Sequence, residues 1–482
     1  MTAPARPARF SLLRSLGLVG WDASEAVVVA ALATEEPLLL VGPHGSGKTM
    51  LLNRLAEALG LSHRHYNASI LSFDDLVGFP VPKDGGVVYL QTPATIWDAE
   101  SVLVDEISRC RPEVQNKLFP LIHERVVQGM PLPRLRFRWA AMNPPVSLDG
   151  PDPKDGSLSE TSAETYGEAY AGSEPLDVAL ADRFAYILRA PILKNLTLEE
   201  QREVLRPAPW RPEEIRDRVL DVIGKTRAYL AEVEKSERAT AAEYTILVAG
   251  QLESSGHPLS IRRACQLTRN ILAVRAAAQS TFTKNDPERD YLSALRASVP
   301  DLAWGRPVPY PVHMGAHRAA WTAAGLASGS TRRQLLTERD PFARMAIALY
   351  GTLPPEEATG VLVDSYASLP RHERLVAAAV LMPTLSRRRD LPAAALEPIA
   401  TDWAAIASGK TGNVAVGPGA SWKRIVLTTD LPRLDQKTEK GKSVAAVSTT
   451  LLWEGYEFQT IELEQTWDRA VSILRGKGRA AA

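Results

Sequence analysis

Residues 42–49 have the composition and spacing of a phosphate-binding loop. They read Gly42-Pro43-His44-Gly45-Ser46-Gly47-Lys48-Thr49, which is a glycine, four residues and then Gly-Lys-Thr, the Walker A pattern. Glycines allow a turn so tight that backbone N–H groups point at phosphate oxygens, and the helix that follows adds positive potential. We predict that this whole loop binds ATP, that Lys48 reaches the β- and γ-phosphates, and that the Thr49 hydroxyl binds Mg²⁺. His44 occupies a variable position of the pattern, and we expect it to be passive.

Two neighbouring carboxylates end an apolar segment further along the chain. Ser101–Val104 reads as a buried strand, and Asp105 and Glu106 follow it directly. Carboxylates in that position are seldom structural without a cation that neutralises them. Asp105 is therefore predicted to hold Mg²⁺, directly or through water, and Glu106 to orient and activate the attacking water. The alternative reading of this Walker B pattern is an acidic helix cap after a strand.

Asn143 ends the next predicted strand, in the sequence Met142-Asn143-Pro144. Considered alone, Asn-Pro is more often a turn signal than a catalytic one. Because it follows the acidic strand along the chain, its side chain is expected between the metal-binding strands. We therefore predict that Asn143 positions water beside the γ-phosphate.

Strands and helices alternate around these residues. Short, continuous apolar runs predict strands buried on both faces, and apolar residues at helical spacing predict the helices between them. A strand, a glycine-rich turn and a helix in that order open a nucleotide-binding α/β fold. The predicted elements are strands at 37–41, 101–104 and 138–142, helices at 50–59 and 112–124, and a hairpin at 125–137.

Composition places the chain among ordinary globular proteins. Its 482 residues suggest two to four domains at roughly 100–200 residues each. Basic and acidic residues number 56 each, so no global field attracts nucleic acid or an anionic membrane. Cys110 and Cys265 lack a paired metal-ligand spacing and are expected to be reduced thiols. Because no apolar run approaches the ~20 residues of a membrane span and the first nine residues lack an apolar core, a cytoplasmic location is expected.

The composition also changes along the chain. Residues 147–174 are acidic, with Lys154 the only basic residue, and predict a mobile loop. Four prolines between 300 and 311 predict a linker. Strand segments are expected at 425–428 and 444–452, and a terminal helix at 461–474. The predicted parts are a flexible tail at 1–14, an α/β nucleotide-binding core at 15–193, a helical lid at 194–285, a linker at 286–317, and a mostly helical accessory domain at 318–482 with some β-structure near 420–460.

Several of these segments together resemble the MoxR family of AAA+ ATPases, over roughly residues 15–280. The resemblance implies a P-loop domain with a parallel sheet and flanking helices, a helical lid, and here a mainly helical C-terminal extension. Residues 73–97 resemble the insertion in the second helix of this branch, and 125–137 resemble its hairpin before the first sensor. The segments that carry the resemblance are 104–109, 114–118, 141–144 and 180–184.

The resemblance implies roles for further residues. Asn143 corresponds to the first sensor, and Arg262 in Ser260-Ile261-Arg262 to the second sensor of the lid. Ile261 replaces the family's usual proline, and the neighbouring Arg263 leaves the exact arginine open. Arg183 stands where related motors place an arginine finger that reaches the neighbouring subunit's ATP, with Arg109 as a rival. An arginine suits this task because its planar, permanently charged fork matches phosphate.

The resemblance also implies a function. A trans arginine requires a homo-oligomeric ring, and the family implies a hexamer that uses ATP and Mg²⁺ to remodel another protein. Its members are often chaperone-like and paired with a protein that carries a von Willebrand factor A domain. The interpretation we favour is remodelling or maturation of such a partner, recruited by the C-terminal extension. Two alternatives stay open: an ATPase of a nucleic-acid-directed defence or restriction system, for which the Lys437–Lys442 run is the only hint, and a nucleotide-gated scaffold with slow turnover.

Overall fold

The computed structural model describes residues 10–83, 85–145, 173–206, 209–327, 329–409 and 421–480. Its contacts divide the chain into two compact units, Met1–Ala324 and Gly325–Ala482. The residues predicted to do chemistry all lie in the first unit. Of the predicted flexible tail, residues 1–9 lie outside the described residues, as does most of the predicted acidic loop, residues 146–172.

A five-stranded parallel sheet forms the centre of the first unit. Its strand order is β2-β5-β8-β1-β9, and each neighbouring pair is parallel. Strands β1 and β8 are fully buried. This burial on both faces explains why their sequences are mainly apolar and do not alternate between apolar and polar residues. The strands are β1 (Leu38–Val41), β2 (His63–Asn67), β5 (Ser101–Asp105), β8 (Phe137–Met142) and β9 (Tyr186–Arg189).

Two small antiparallel hairpins interrupt the alternation of strands and helices. The first joins β3 (Phe79–Lys83) to β4 (Gly86–Leu90), in the segment that resembles the helix insertion. The second joins β6 (Val126–Val127) to β7 (Met130–Pro131), which confirms the hairpin predicted at 125–137. Gln128 and Gly129 connect β6 and β7 with φ of +51° and +76°, the left-handed conformation that a two-residue turn requires.

The predicted helices of the α/β core are present. Helix α5 begins at Pro112, a position where the backbone N–H would have no partner within the helix. Its apolar residues Val114, Leu118, Leu121 and Ile122 are buried. A parallel sheet with flanking helices is confirmed as the architecture of this region. The helices before and between the strands are α1 (Leu12–Ser15), α2 (Glu25–Thr34), α3 (Lys48–Leu59), α4 (Phe73–Val77), α5 (Pro112–Glu124) and α6 (Val178–Ala181).

In the described residues between β9 and Ala324, the regular elements are all helical. Helix α7 opens with the predicted capping box, in which Thr197 and Glu200 satisfy each other's backbone N–H groups. Helices α8 and α9 pack along each other and both contact α2, so the lid region is packed against the helix that precedes the sheet. The helices are α7 (Leu198–Leu205), α8 (Pro212–Ser254), α9 (Ile261–Thr281), α10 (Pro287–Ser298) and α11 (Tyr310–Ala324).

The linker predicted at 286–317 is replaced by ordered helices. Pro287 and Pro300 occupy first positions of helical segments, where proline is favoured, so these prolines start helices instead of breaking the chain. Helix α11 packs against α8 and belongs to the first unit. The predicted boundary at residue 318 therefore falls inside a helix.

The second unit is helical, as predicted for the C-terminal extension. Its core is built from Leu, Val, Ala and aromatic side chains of α13–α16, α19 and α20, among them the fully buried Leu362, Leu375 and Val444. The helices are α12 (Thr331–Thr337), α13 (Pro341–Tyr350), α14 (Pro355–Ala367), α15 (Arg371–Leu385), α16 (Glu397–Ala407), α17 (Ser421–Ile425), α18 (Leu431–Arg433), α19 (Glu439–Glu454) and α20 (Thr460–Ala480).

The strand segments predicted at 425–428 and 444–452 are wrong. The first lies in α17 and the π-helical turn Val426–Asp430, and the second lies in α19. Both are rich in valine and threonine, which favour strands. Here the hydroxyls of Thr428, Thr449 and Thr450 donate to carbonyls four residues earlier, so the threonines are accommodated within a helix.

The N-terminal chain is anchored earlier than the predicted tail at 1–14 allows. Leu12 and Leu13 are buried, and their backbone N–H groups donate to the carboxylate of Glu25. The hydroxyl of Ser11 donates to the same carboxylate at 3.1 Å. Burial raises the pKa of Glu25 to about 7, against the three hydrogen bonds that lower it.

Within the described residues, each helix is either too short or too polar to span a bilayer.

We predict that Glu25 makes the stability of the first unit pH-dependent. A carboxyl group whose pKa is raised on folding stabilises the fold when protonated and loses that contribution as the pH rises through the folded pKa. The free energy of unfolding should therefore fall between pH 5 and pH 8, by on the order of 2 kcal/mol from this group. Urea unfolding at both pH values should show a smaller fall for Glu25→Gln. An equal fall in the natural chain, in Glu25→Gln and in the surface control Glu234→Gln would contradict this assignment.

Candidate nucleotide site

The glycine-rich loop joins β1 to α3 as predicted. Gly45 and Gly47 have φ of +72° and +84°, a conformation that residues with a Cβ rarely adopt. A Cβ at Gly45 would meet nothing within 4 Å, so the loop is open at this position. The Ser46 hydroxyl closes the turn by donating to the Pro43 carbonyl at 2.7 Å.

Lys48 lies buried at the first turn of α3. Its Nζ donates to the carbonyls of Gly42 and Pro43 at 2.7 and 2.8 Å, and lies 3.4 Å from Asn143 Oδ1. Burial lowers the pKa of Lys48, although Asp105 and Glu106 oppose the shift. Its hydrogen-bond partners are neutral oxygens rather than carboxylates. The Lys48 ammonium group is therefore free to form an ion pair with an anion in the loop.

The Thr49 hydroxyl and the Asp105 carboxylate meet directly. Thr49 Oγ1 donates to Asp105 Oδ2 at 2.8 Å, although 56 residues separate them in the chain. His65 Nε2 lies 3.4 Å from the same oxygen. Burial raises the pKa of Asp105, but the hydrogen bonds from His65, Thr49 and the Glu106 N–H outweigh it and lower the pKa overall. Asp105 is therefore an ionised carboxylate beside a hydroxyl, as Mg²⁺ requires of its ligands.

Glu106 follows Asp105 in the left-handed conformation, with φ of +54°. Consecutive residues of a strand point to opposite faces, so this backbone reversal releases Glu106 from the alternation of β5. Its carboxylate lies 3.5 Å from Arg109 Nη1, at the end of the following helical turn. Arg109 thus contacts the proposed catalytic base of its own chain.

Asn143 follows β8 and faces the loop. Its Nδ2 lies 3.1 Å from His44 Nε2, so His44 contacts the predicted first sensor. The backbone carbonyl of Asn143 accepts a hydrogen bond from Ser173 Oγ at 2.9 Å, and Ser173 also contacts Ser108. Ser173 thus connects the segment that begins at residue 173 to Asn143 and to Ser108, which lies shortly after the acidic pair.

These residues fit a magnesium nucleotide. The loop offers backbone N–H groups and a buried ammonium group for phosphate oxygens, while Thr49 and Asp105 offer the hydroxyl and carboxylate oxygens that Mg²⁺ prefers. A bound Mg²⁺ would neutralise charge on the phosphates. Within the chain, Lys48 and the loop would orient the phosphates, and Glu106 and Asn143 stand at the neighbouring strand ends where a water would be held.

Arg183 lies at the other edge of the sheet. It precedes β9, whose first residue pairs with the first residue of β1, whereas the glycine-rich loop follows the last residue of β1. Four residues of strand separate the two edges by about 13 Å. The Arg183 guanidinium packs 4.7 Å from the centre of the Phe119 ring and donates to the Ala179 carbonyl.

Arg262 lies beside Arg183 rather than beside the loop. Its Nη1 is 3.4 Å from a carboxylate oxygen of Asp182, the residue before Arg183. Arg263 is buried and donates to the carbonyls of Phe184 and Ala181, so it holds α9 against the chain before β9. Of the two candidates for the second sensor, Arg262 is the one with an accessible guanidinium, 47% exposed.

The predicted site residues therefore form two groups. Lys48, Thr49, Asp105, Glu106 and Asn143 meet at the carboxyl edge of the sheet, whereas Arg183 and Arg262 meet at the amino edge. Sequence reasoning missed the contacts of His65 with Asp105 and of His44 with Asn143. The contact of His65 with Asp105 depends on β2 lying beside β5 in the sheet. The order of strands in a sheet cannot be read from the sequence.

Comparison with known proteins matches the segment that contains Lys48, Thr49, Asp105 and Glu106. Residues 37–137 match the profile described as AAA domain (dynein-related subfamily). Protein NorQ of Paracoccus denitrificans is 35% identical over 105 residues, which are 21% of this chain and 38% of NorQ. Residues 37–137 therefore belong to an AAA domain, and the chain is similar to MoxR-like AAA+ ATPases. An AAA+ domain binds a nucleotide, typically with Mg²⁺, and hydrolyses ATP.

Other relatives are similar over different lengths. Uncharacterized protein SAB1265c of Staphylococcus aureus is 29% identical over 175 residues, 34% of this chain and 60% of that protein. Uncharacterized protein YojN of Bacillus subtilis is 24% identical over 302 residues, 60% of this chain and 85% of YojN. The matches thus span less than two thirds of SAB1265c and of NorQ.

A solved structure of a candidate ATPase from Cytophaga hutchinsonii is 22% identical and covers 55% of this chain and 79% of its own. Its TM-score is 0.39, so the likeness assigns no property to the present chain.

We predict that Lys48→Ala weakens nucleotide binding by about a hundredfold or more, because hydrogen bonds to charged groups contribute up to about 3 kcal/mol each. Titration with a fluorescent ATP analogue measures the affinity. Lys225→Ala, which removes an exposed lysine of α8 paired with Asp221, is the matched control and should bind normally. Unchanged affinity in Lys48→Ala would contradict the assignment of this loop.

Proposed function

We propose that the chain hydrolyses ATP within a homo-oligomeric ring and uses the resulting change in subunit packing to remodel a partner protein. The observation that carries this proposal is the separation of the site residues. The loop and the acidic pair lie at one edge of the sheet, and Arg183 with Arg262 lies at the other. One copy alone leaves the phosphates without these arginines, so a complete site needs a second copy.

The roles of the residues follow from their positions. Lys48 holds the phosphates, Thr49 and Asp105 hold Mg²⁺, Glu106 activates water and Asn143 orients it. Arg183 stabilises the charge that develops on the phosphates of the neighbouring copy, with Arg262 beside it. Arg109 is engaged with Glu106 of its own chain, which favours Arg183 as the arginine that acts in trans.

A ring of six copies agrees with the family resemblance. In such a ring each nucleotide lies between two adjacent copies of the chain. When hydrolysis and phosphate release remove the contact between Arg183 and the neighbouring nucleotide, the packing between copies changes. A protein bound to the ring is then subject to that movement. The bound protein would then change its conformation without any change in its covalent structure.

The second unit is proposed to recruit the partner, a protein that carries a von Willebrand factor A domain. This unit folds around its own helical core, so it can present a surface independently of the nucleotide site. The chain has 56 basic and 56 acidic residues, and this balance of charge supports a protein partner over nucleic acid.

Mixing two inactive variants tests the shared site. Lys48→Ala lacks a working loop but keeps Arg183, and Arg183→Ala keeps the loop but lacks the arginine. We expect ATP turnover to be near background for each variant alone and partly restored in the mixture. If the mixture stays as inactive as its components while both remain folded, the arginine does not act on a neighbour.

Turnover in the presence of candidate partners tests the remodelling role. A von Willebrand factor A protein that is the partner should stimulate ATP hydrolysis several-fold in the natural chain and not in Glu106→Gln, which should bind ATP without splitting it. Stimulation by DNA that declines with salt would replace this proposal with a nucleic-acid motor. Slow turnover with every partner would replace it with a nucleotide-gated scaffold.

A further inference from the structure

The second unit has a cavity of about 380 Å³ between three of its helices. It lies between the end of α14 and the beginnings of α15 and α16, and its volume is within the range of ligand pockets in proteins. Val363, Ala367 and Pro398 form the apolar part of its lining. The charged lining residues are Arg371, Arg374, Glu397 and Asp402, whose formal charges sum to zero.

One wall of the cavity is a hydrogen-bonded ion network. Arg371 Nη1 donates to Asp402 Oδ1 at 2.5 Å, and Arg371 Nε and Nη2 donate to the carboxylate of Glu454 at 2.9 and 2.6 Å. The other oxygen of Asp402 accepts a hydrogen bond from the hydroxyl of the buried Tyr366 at 2.5 Å. Because these groups satisfy one another within the chain, the network fixes the wall in one arrangement.

Arg374 lies outside this network. It stands three residues after Arg371 in the first turns of α15, so both side chains lie on the same face of the helix. Within the described residues, Arg374 Nε has no hydrogen-bond partner, and no carboxylate lies within ion-pair distance of the Arg374 guanidinium. An anionic group that entered the cavity would supply the partner that the chain does not.

Glu397 and Thr401 bring oxygen acceptors to the same cavity from successive turns of α16. Both side chains are exposed. A phosphate dianion would be placed near the Glu397 carboxylate in a cavity of no net positive charge, which is unfavourable. A peptide segment combines a single carboxylate with backbone N–H donors, so it can pair with Arg374 and with these acceptors together.

We propose that this cavity binds an acidic side chain of a peptide segment of the partner protein. The carboxylate pairs with Arg374, and an apolar side chain beside it in the peptide packs against Val363 and Ala367. The assignment of the segment to the partner rests on the proposed function, in which the second unit recruits that protein. An arginine and a carboxylate form two parallel hydrogen bonds, so the site distinguishes glutamate from glutamine.

Fluorescence anisotropy with labelled, capped pentapeptides tests the proposal on the full-length chain without nucleotide. One panel has a central glutamate between varied apolar residues, and the matched panel has glutamine in its place. We expect the tightest-binding glutamate peptide to exceed its glutamine counterpart by roughly tenfold or more, because the pair with Arg374 is charge-assisted. Its affinity should decline as salt is added.

Two substitutions act on the cavity in different ways. Arg374→Gln removes the charge and should lower the affinity for the glutamate peptides to that for the glutamine peptides. Ala367→Trp, at the exposed last residue of α14, fills the cavity and should weaken binding of both panels. The matched controls are Arg389→Gln, at an exposed arginine outside the cavity, and Ala407→Trp, at the exposed last residue of α16. Both controls should bind as the natural chain does, and circular dichroism verifies folding.

The proposal is overturned if no glutamate peptide binds, if the two panels bind equally, or if Arg374→Gln binds as tightly as Arg389→Gln. If Arg374→Gln does not fold, the tryptophan pair decides: equal binding by Ala367→Trp and Ala407→Trp overturns the proposal, and weaker binding by Ala367→Trp supports it.

Failure of the proposed function gives a different result. Glutamate peptides that depend on Arg374, together with ATP turnover that no von Willebrand factor A protein stimulates, would retain this site and remove the assignment of its partner. Equal stimulation of the natural chain and of Arg374→Gln by such a protein would retain the remodelling role and overturn this cavity as the place where the partner docks.

Discussion

All five strands of the sheet run in the same direction, and this constraint places most of the predicted site residues at one edge. Parallel strands bring their carboxyl ends to one edge, so β1, β5 and β8 deliver the glycine-rich loop, the acidic pair and Asn143 to one place. The hydrogen bond between Thr49 and Asp105 shows how closely two of these ends meet. The same constraint keeps Arg183 at the opposite edge, because it precedes its strand instead of following it.

The α/β core and its nucleotide loop could be predicted because their signals are local. The Gly-Lys-Thr sequence, the apolar run before it and the acids after β5 are each contained within about ten residues. His65 and Arg109 could not be placed in this way. Their contacts with Asp105 and Glu106 depend on which strand lies beside β5 and on the left-handed turn at Glu106, which are properties of the folded chain.

The prolines and threonines of the C-terminal half show a different limit. Pro300 and the three prolines after it suggested a linker, yet proline also starts helices, and the choice is made by whether the following residues can pack. Thr449 and Thr450 suggested a strand, yet their hydroxyls bond to carbonyls of the same helix. In both cases the residue type permits two conformations, and packing against neighbouring elements of the same unit selects one.

The left-handed backbone at Glu106 restricts how this chain can change over time. Residues branched at Cβ pay the largest penalty in that conformation, whereas asparagine, aspartate and glycine pay the least. Substitutions at position 106 are therefore tolerated best by the backbone when they introduce small or amide side chains, and most of these lack the carboxylate that the proposed function uses to activate water. A single substitution that relaxes the main chain at this position would thus also remove that carboxylate.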